Sequence, residues 1–133
     1  MKAIATLLRA LQFYAHNAHN MASGCNFLQD HEFFGELYPA YEGEYDSVVE
    51  RMIGMDMELD LPALNCDACD IVSKAKTGDC CTNFKVLLAT EKSLCVEIKK
   101  AMASCSTGTQ NLLQGIADKS EMRQYKFKRI TKC

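Results

Sequence analysis

Histidine and carboxylate side chains of the kind that bind first-row transition metals occur together in the first fifty residues. All three histidines, His16, His19 and His31, lie in the first quarter of the chain, and Asp46 and Glu50 follow downstream. Imidazole nitrogens and carboxylate oxygens together form a ligand set suited to iron and to neighbouring metals. These side chains are therefore candidate metal ligands.

Helix geometry restricts how these side chains can share a metal. At about 100° per residue, His31, Asp46 and Glu50 lie on one face of a single helix. The segment from His31 to Asp46 spans roughly 22 Å at about 1.5 Å per residue, which is too far for one ion. A second chain must supply half of a shared site, as antiparallel helices at a self-complementary two-fold contact would. The alternative is that Asp46 and Glu50 form a solvated face with Arg51.

Apolar residues recur at helical spacing along the chain, which predicts an all-α fold. The second helix contains Pro39, which lacks an N–H and is predicted to kink it against the carbonyl of Gly35. Four long amphipathic helices bury their apolar stripes as a four-helix bundle, here with a short extra helix between the second and third long helices. The predicted helices cover about 2–22, 26–53, 62–75, 80–105 and 109–130.

The composition is that of one ordinary globular domain. The chain has 133 residues, of which 48% are apolar and 24% charged, which argues against disorder. No apolar run approaches the length of a membrane span. The chain has eight cysteines but no recognisable signal peptide, so we expect reduced thiols and a cytoplasmic location.

Charge is distributed unevenly along the chain. Residues 30–60 include ten acidic and one basic residue, a net charge of −9. Residues 119–133 include six basic and one acidic residue, a net charge of +5. An acidic middle favours cations as partners, and a basic end favours anions.

The segment from Ala18 to Tyr38 reads AHNMASGCNFLQDHEFFGELY and resembles the Dps family of miniature ferritins. The resemblance continues in YDSVVERM at residues 45–52 and in TGTQNLL at residues 107–113. The intervals between His19, His31 and the two downstream acids also agree with the family. The likeness is strong over residues 13–54 and looser beyond them.

This resemblance implies a ferritin-like bundle that spans residues 1–133 as a single domain. Twelve subunits would form a hollow shell, a dodecamer with metal sites at its two-fold interfaces. His19 and His31 of one subunit would bind iron together with Asp46 and Glu50 of its neighbour. As a ferroxidase, the protein would oxidise Fe(II) with hydrogen peroxide or oxygen, store the ferric mineral and protect against oxidative stress.

Two positions depart from the family pattern. The family has an aspartate four residues after the second histidine, where this chain has Gly35, so weakened ferroxidase activity is expected. Glu36 and His16 are the further candidate ligands. The family tryptophan after the first histidine is Asn20 here, and the chain contains no tryptophan.

Two other groups of residues offer further metal chemistry. Glu91 interrupts an apolar stripe, and with Glu121 and Gln124 it raises the prospect of a second metal site inside the bundle; a carboxylate at the stripe edge is the plainer interpretation. Zinc could bind to four thiolates, but buried free thiols are the preferred interpretation. The four thiols concerned are Cys66, Cys69, Cys80 and Cys81.

The basic C-terminal segment suggests an alternative function. Residues 126–132 read KFKRITK and resemble the basic extensions with which many Dps shells hold DNA. A non-catalytic shell that binds and protects DNA is therefore the second hypothesis. A solvated basic face is the competing interpretation, because residues 1–118 carry 9 basic and 16 acidic residues and so repel DNA.

Overall fold

The computed structural model describes residues 1–132, and five α-helices with no β-strand make up the regular structure of that range. Four of the helices are long, and a short helix lies in the connection between the second and third long helices. The predicted helical bundle with an extra short helix is therefore confirmed. The helices are α1 (Lys2–Met21), α2 (Phe27–Gly54), α3 (Leu61–Lys74), α4 (Cys80–Met102) and α5 (Thr107–Ile130).

Side-chain caps define where α3 and α4 begin. The Asp60 carboxylate accepts a hydrogen bond from the backbone N–H of Ala63 at 3.0 Å, and Pro62 occupies the first turn of α3, where its missing N–H costs nothing. Asp79 caps α4 in the same way, through the N–H of Thr82 at 2.8 Å. Both loops therefore end at a side chain that satisfies a free helix donor.

The last helix begins two residues earlier than the sequence pattern predicts. Gly108 indicated a break, yet α5 begins at Thr107. The Gln110 side chain closes the turn, since it donates to the carbonyl oxygens of Met102 and Cys105 at the end of α4, each at 3.1 Å.

The core lies between the long helices, with α1 packed against α2, α3 and α4, and α4 against α5. Phe33 and Phe34 of α2 meet Phe84 of α4, and Phe84 meets Phe127 of α5. The rings of Phe34 and Phe84 are stacked with centroids 4.8 Å apart. α2 continues as one helix through Pro39. No helix in residues 1–132 is both long and apolar enough to cross a membrane.

Candidate metal centre

His19 and His31 meet where α1 ends and α2 begins. The chain reverses over residues 22–26, and Gly24 adopts a φ of +90° there, a left-handed conformation that favours glycine. This turn stacks the two imidazole rings, with centroids 3.7 Å apart and planes inclined by 26°. Both side chains are half-buried. The structure therefore brings together the two histidines that the sequence pattern selected.

Reciprocal hydrogen bonds fix both rings. Nδ1 of His19 lies 2.8 Å from the carbonyl oxygen of His31, and Nδ1 of His31 lies 3.1 Å from the carbonyl oxygen of His19. A carbonyl oxygen only accepts, so each Nδ1 must carry the proton and donate it. In the neutral ring, Nε2 then keeps its lone pair. Each imidazole is thus held as the tautomer that can bind a metal through Nε2.

Gly35 forms the wall behind His19. A Cβ atom at residue 35 would lie 3.3 Å from both Cε1 and Nδ1 of the His19 ring, closer than most such contacts. The ring therefore occupies the space beside the backbone that a side chain at residue 35 would need.

Aromatic rings flank the histidine pair on both sides. Tyr38 meets the His19 ring edge-on, with centroids 5.6 Å apart, and Phe27 lies 5.1 Å from His31. His16 is exposed and stacks on Tyr38 at 4.3 Å, with its ring centroid 6.4 Å from that of His19. His16 is thus adjacent to the pair but outside its hydrogen-bonded core.

The carboxylates do not join the histidines within one chain. Asp46 and Glu50 are exposed on α2, and the rise of the helix separates Asp46 from His31 by roughly 22 Å. Glu36 is exposed as well. Across residues 1–132, no three histidine, cysteine or acidic side chains are arranged so that they could hold a metal ion together. The histidine pair therefore provides two nitrogen donors and needs further ligands from elsewhere.

The prediction of a second metal site at Glu91 is wrong, because the guanidinium of Arg123 binds the Glu91 carboxylate. Glu91 is fully buried on α4 and accepts a hydrogen bond from Nε of Arg123, while Glu121 is exposed. Glu44 also binds Arg123, and sequence reasoning missed both residues. Their signal was present: Glu44 shares the apolar stripe of Tyr41 and Val48, and Arg123 lies at helical spacing from other buried residues of α5.

The proposed four-thiolate zinc site is likewise not formed in the described residues. Cys66 and Cys69 are exposed on α3, whereas Cys80 and Cys81 are half-buried at the start of α4. The expectation of buried thiols is wrong for Cys66 and Cys69, which are exposed. Burial, reinforced by the nearby Asp30 carboxylate, raises the pKa of the Cys80 thiol to about 12.

Residues 119–132 present fewer basic side chains at the surface than their composition suggests. Arg123 is buried against two carboxylates. The remaining bases are exposed, and Cys133, the last residue of the chain, lies outside the described residues. The exposed bases are Lys119, Lys126, Lys128, Arg129 and Lys132.

Comparison with known protein families gives a match over nearly the whole chain. Residues 2–132 match the family described as ferritin-like domain. A comparison with curated proteins gave no match. The family match agrees with the helical architecture, and a ferritin-like domain is consistent with iron binding, iron storage or ferroxidase-type chemistry in general. The chain therefore belongs to the ferritin-like family.

Proposed function

We propose that this chain is a miniature ferritin of the Dps type, a ferroxidase that oxidises Fe(II) and stores the ferric product. In this proposal, residues 1–133 act as one domain, twelve copies form a hollow cytoplasmic shell, and the iron sites lie at the two-fold interfaces. Hydrogen peroxide or oxygen is the oxidant. Oxidation of two Fe(II) ions by one peroxide, with two protons taken up, yields two Fe(III) ions and two waters and so removes a source of hydroxyl radicals.

The reciprocal bonding of His19 and His31 is the observation that carries this proposal. In both rings Nδ1 is committed to a carbonyl oxygen, so neither ring needs to reorient before it binds Fe(II) through Nε2. Iron binding loses little side-chain conformational entropy, because stacking already fixes the two imidazole rings. Two imidazoles leave most of the coordination sphere of iron open to carboxylates, water and oxidant.

The partner subunit completes the site through α2. An antiparallel pairing that sets His31 opposite Glu50 also sets Gly35 opposite Asp46 and brings both acids to the histidines of the other chain. The same register sets Leu28 opposite Ile53, and these side chains are 70% and 57% exposed. Large apolar side chains exposed at both ends of one helix face favour a contact that buries them. Asp46 and Glu50 then act as oxygen ligands and balance the charge of the iron.

Iron oxidation kinetics test this proposal. The rate of Fe(II) oxidation under peroxide, with oxygen limited, is measured for the unmodified chain and for His19→Ala/His31→Ala. Asn17→Ala is the matched control, because Asn17 is exposed on α1 two residues before His19. We expect fast oxidation to a soluble ferric product that the double variant loses and the control keeps. A rate no faster than that of buffer for the unmodified chain would refute the proposal.

Binding to DNA is the alternative function, and the exposed C-terminal bases are the observation that favours it. Lys126, Lys128, Arg129 and Lys132 are all exposed over the last turns of α5 and beyond. Twelve such ends on one shell would add through multivalency. A gel shift of duplex DNA that weakens with salt would support this function. Absence of a gel shift at low salt would rule out DNA binding and would leave the proposed iron chemistry unaffected.

A further inference from the structure

The interior of the bundle contains an ion network outside the histidine site. The Arg123 guanidinium binds both oxygens of Glu44, with Nη1 and Nη2 donating over 2.8 and 2.9 Å. Its Nε donates to Glu91. The side chains of Arg123, Glu44 and Glu91 are 11%, 4% and 0% exposed. One cation therefore joins carboxylates from α2 and α4 to α5 in a nearly dry environment.

Neutral donors complete the surroundings of Glu91. The Tyr41 hydroxyl donates to one Glu91 oxygen at 2.7 Å, and the Ser120 hydroxyl donates to the other. Burial and the adjacent carboxylate raise the pKa of Tyr41 well above its ordinary value, so the phenol keeps its proton. The guanidinium also lies 4.6 Å from the centre of the Tyr41 ring. Glu91 thus has three donors, only one of which is charged.

The charges of this network do not cancel. Two carboxylates surround one guanidinium. Burial acts to lower the pKa of Arg123, but its hydrogen bonds to Glu44 and the charge of Glu91 raise that pKa above its ordinary value. The cation is therefore permanent. Four carboxylate oxygens and a phenol around one buried positive charge form the hard oxygen set that divalent cations such as Mn²⁺ and Mg²⁺ also prefer.

We propose that Glu44 and Glu91 form a cation site in the bundle core whose resident cation is Arg123, so that this side chain keeps divalent metal ions out of the interior. Metal binding is then confined to the histidine pair at the surface. Removal of the guanidinium leaves two buried carboxylates that face each other, and a hard divalent ion replaces the lost charge. The proposal does not depend on ferroxidase activity.

Mn²⁺ binding to Arg123→Met tests the proposal, because methionine retains much of the side-chain length but lacks charge and donors. Lys126→Met is the matched control, an exposed base on the same helix. Stoichiometry is followed by electron paramagnetic resonance of free Mn²⁺, and Tm is followed by circular dichroism. Tb³⁺ luminescence gives a second readout, since Tyr41 is adjacent and the chain has no tryptophan to compete as sensitiser.

We expect Arg123→Met to bind one Mn²⁺ per chain more than the unmodified protein, and its Tm to rise by several degrees with Mn²⁺. We expect Lys126→Met to gain no Mn²⁺ site. The added Mn²⁺ site should be lost in the triple variant Glu44→Gln/Glu91→Gln/Arg123→Met. A folded Arg123→Met that binds no extra Mn²⁺ would overturn the proposal, as would its failure to fold even with Mn²⁺ present. An unmodified protein with a Mn²⁺ site that Glu91→Gln removes would also overturn it.

Discussion

The ring of His19 donates to the carbonyl oxygen of His31, and the ring of His31 donates to the carbonyl oxygen of His19. Each imidazole is therefore oriented by the backbone of the other helix, and neither hydrogen bond involves a third side chain. A metal-ligating histidine commonly has its second nitrogen bound by a carboxylate or a carbonyl. Here the two candidate ligands provide that support for each other, so a disturbance of one ring reaches both.

A methyl group at residue 35 should weaken metal binding. In Gly35→Ala, the new Cβ presses on Cε1 and Nδ1 of His19 and shifts a ring that His31 holds. We expect the affinity for Co²⁺ to fall about tenfold, which corresponds to about 1.4 kcal/mol. Titration followed by the visible spectrum of Co²⁺ measures it. Gly43→Ala is the control on the same helix, because its Cβ meets nothing within 4 Å.

The same pair of variants should also differ in folding stability. Alanine in place of glycine inside a helix stabilises by about 0.5–1 kcal/mol, and Gly43→Ala should show this gain in urea unfolding. Gly35→Ala should show little or none of it, because the contact with His19 offsets the gain. Equal stabilisation by both variants, with unchanged Co²⁺ affinity, would contradict the role of Gly35 as the wall behind His19.

Two inactive variants should restore activity when they assemble together. His19→Ala/His31→Ala lacks the nitrogen half of the proposed site, and Asp46→Asn/Glu50→Gln lacks the oxygen half. A mixed two-fold pair contains one site with both halves intact, so random co-assembly should recover about a quarter of the original sites. The rate of Fe(II) oxidation after co-refolding measures this recovery.

The Asp46→Asn/Glu50→Gln variant needs a control for the loss of two surface carboxylates. Asp118→Asn/Glu121→Gln removes two exposed carboxylates from α5 instead of α2 and should retain full activity. Either inactive variant refolded alone should recover no Fe(II) oxidation activity. If the mixture of the two inactive variants stays inactive although the chains co-assemble, the intersubunit arrangement is wrong.

Loss of the Tyr41 hydroxyl should destabilise the fold. Tyr41→Phe removes a donor from the buried Glu91 carboxylate, and no water can replace it because Tyr41 is fully buried. A buried acceptor that loses a partner costs about 1–3 kcal/mol. Urea unfolding should show a loss of that size for Tyr41→Phe. Tyr125→Phe, at a side chain that is 59% exposed, should leave stability unchanged within error.

The Cys80 thiol should resist alkylation at neutral pH. Burial and the Asp30 carboxylate raise its pKa to about 12, and only the thiolate reacts quickly. Its reaction with iodoacetamide, followed by mass spectrometry of peptides, should remain slow at pH 8 and keep accelerating beyond pH 10. Asp30→Asn removes the charge that disfavours the thiolate and should speed the reaction several-fold. Alkylation of Cys80 at pH 8 as fast as that of the exposed Cys66 would contradict this prediction.

The helices and the histidine pair were predictable because their signals are local. Apolar spacing fixes the helices, and the turn over residues 22–26 brings His19 to His31. Local pattern places Glu44 and Arg123 on the apolar faces of their helices, but it does not predict that the two side chains meet each other and Glu91. Whether Arg123 is buried depends on α2 and α4 presenting Glu44 and Glu91 at the same height in the bundle. The proximity of side chains from three helices cannot be read from the sequence of any one helix.

The network of Glu44, Glu91 and Arg123 also constrains how this sequence can diverge. Removal of one member of a buried ion pair costs about 3–5 kcal/mol, which is a large fraction of the 5–15 kcal/mol that typically stabilises a folded protein. Replacement of all three members by well-packed apolar side chains is often neutral or stabilising. Single substitutions at these positions are therefore selected against even where the combined change is tolerated. Among descendants of this sequence, the three positions should change together or remain as they are.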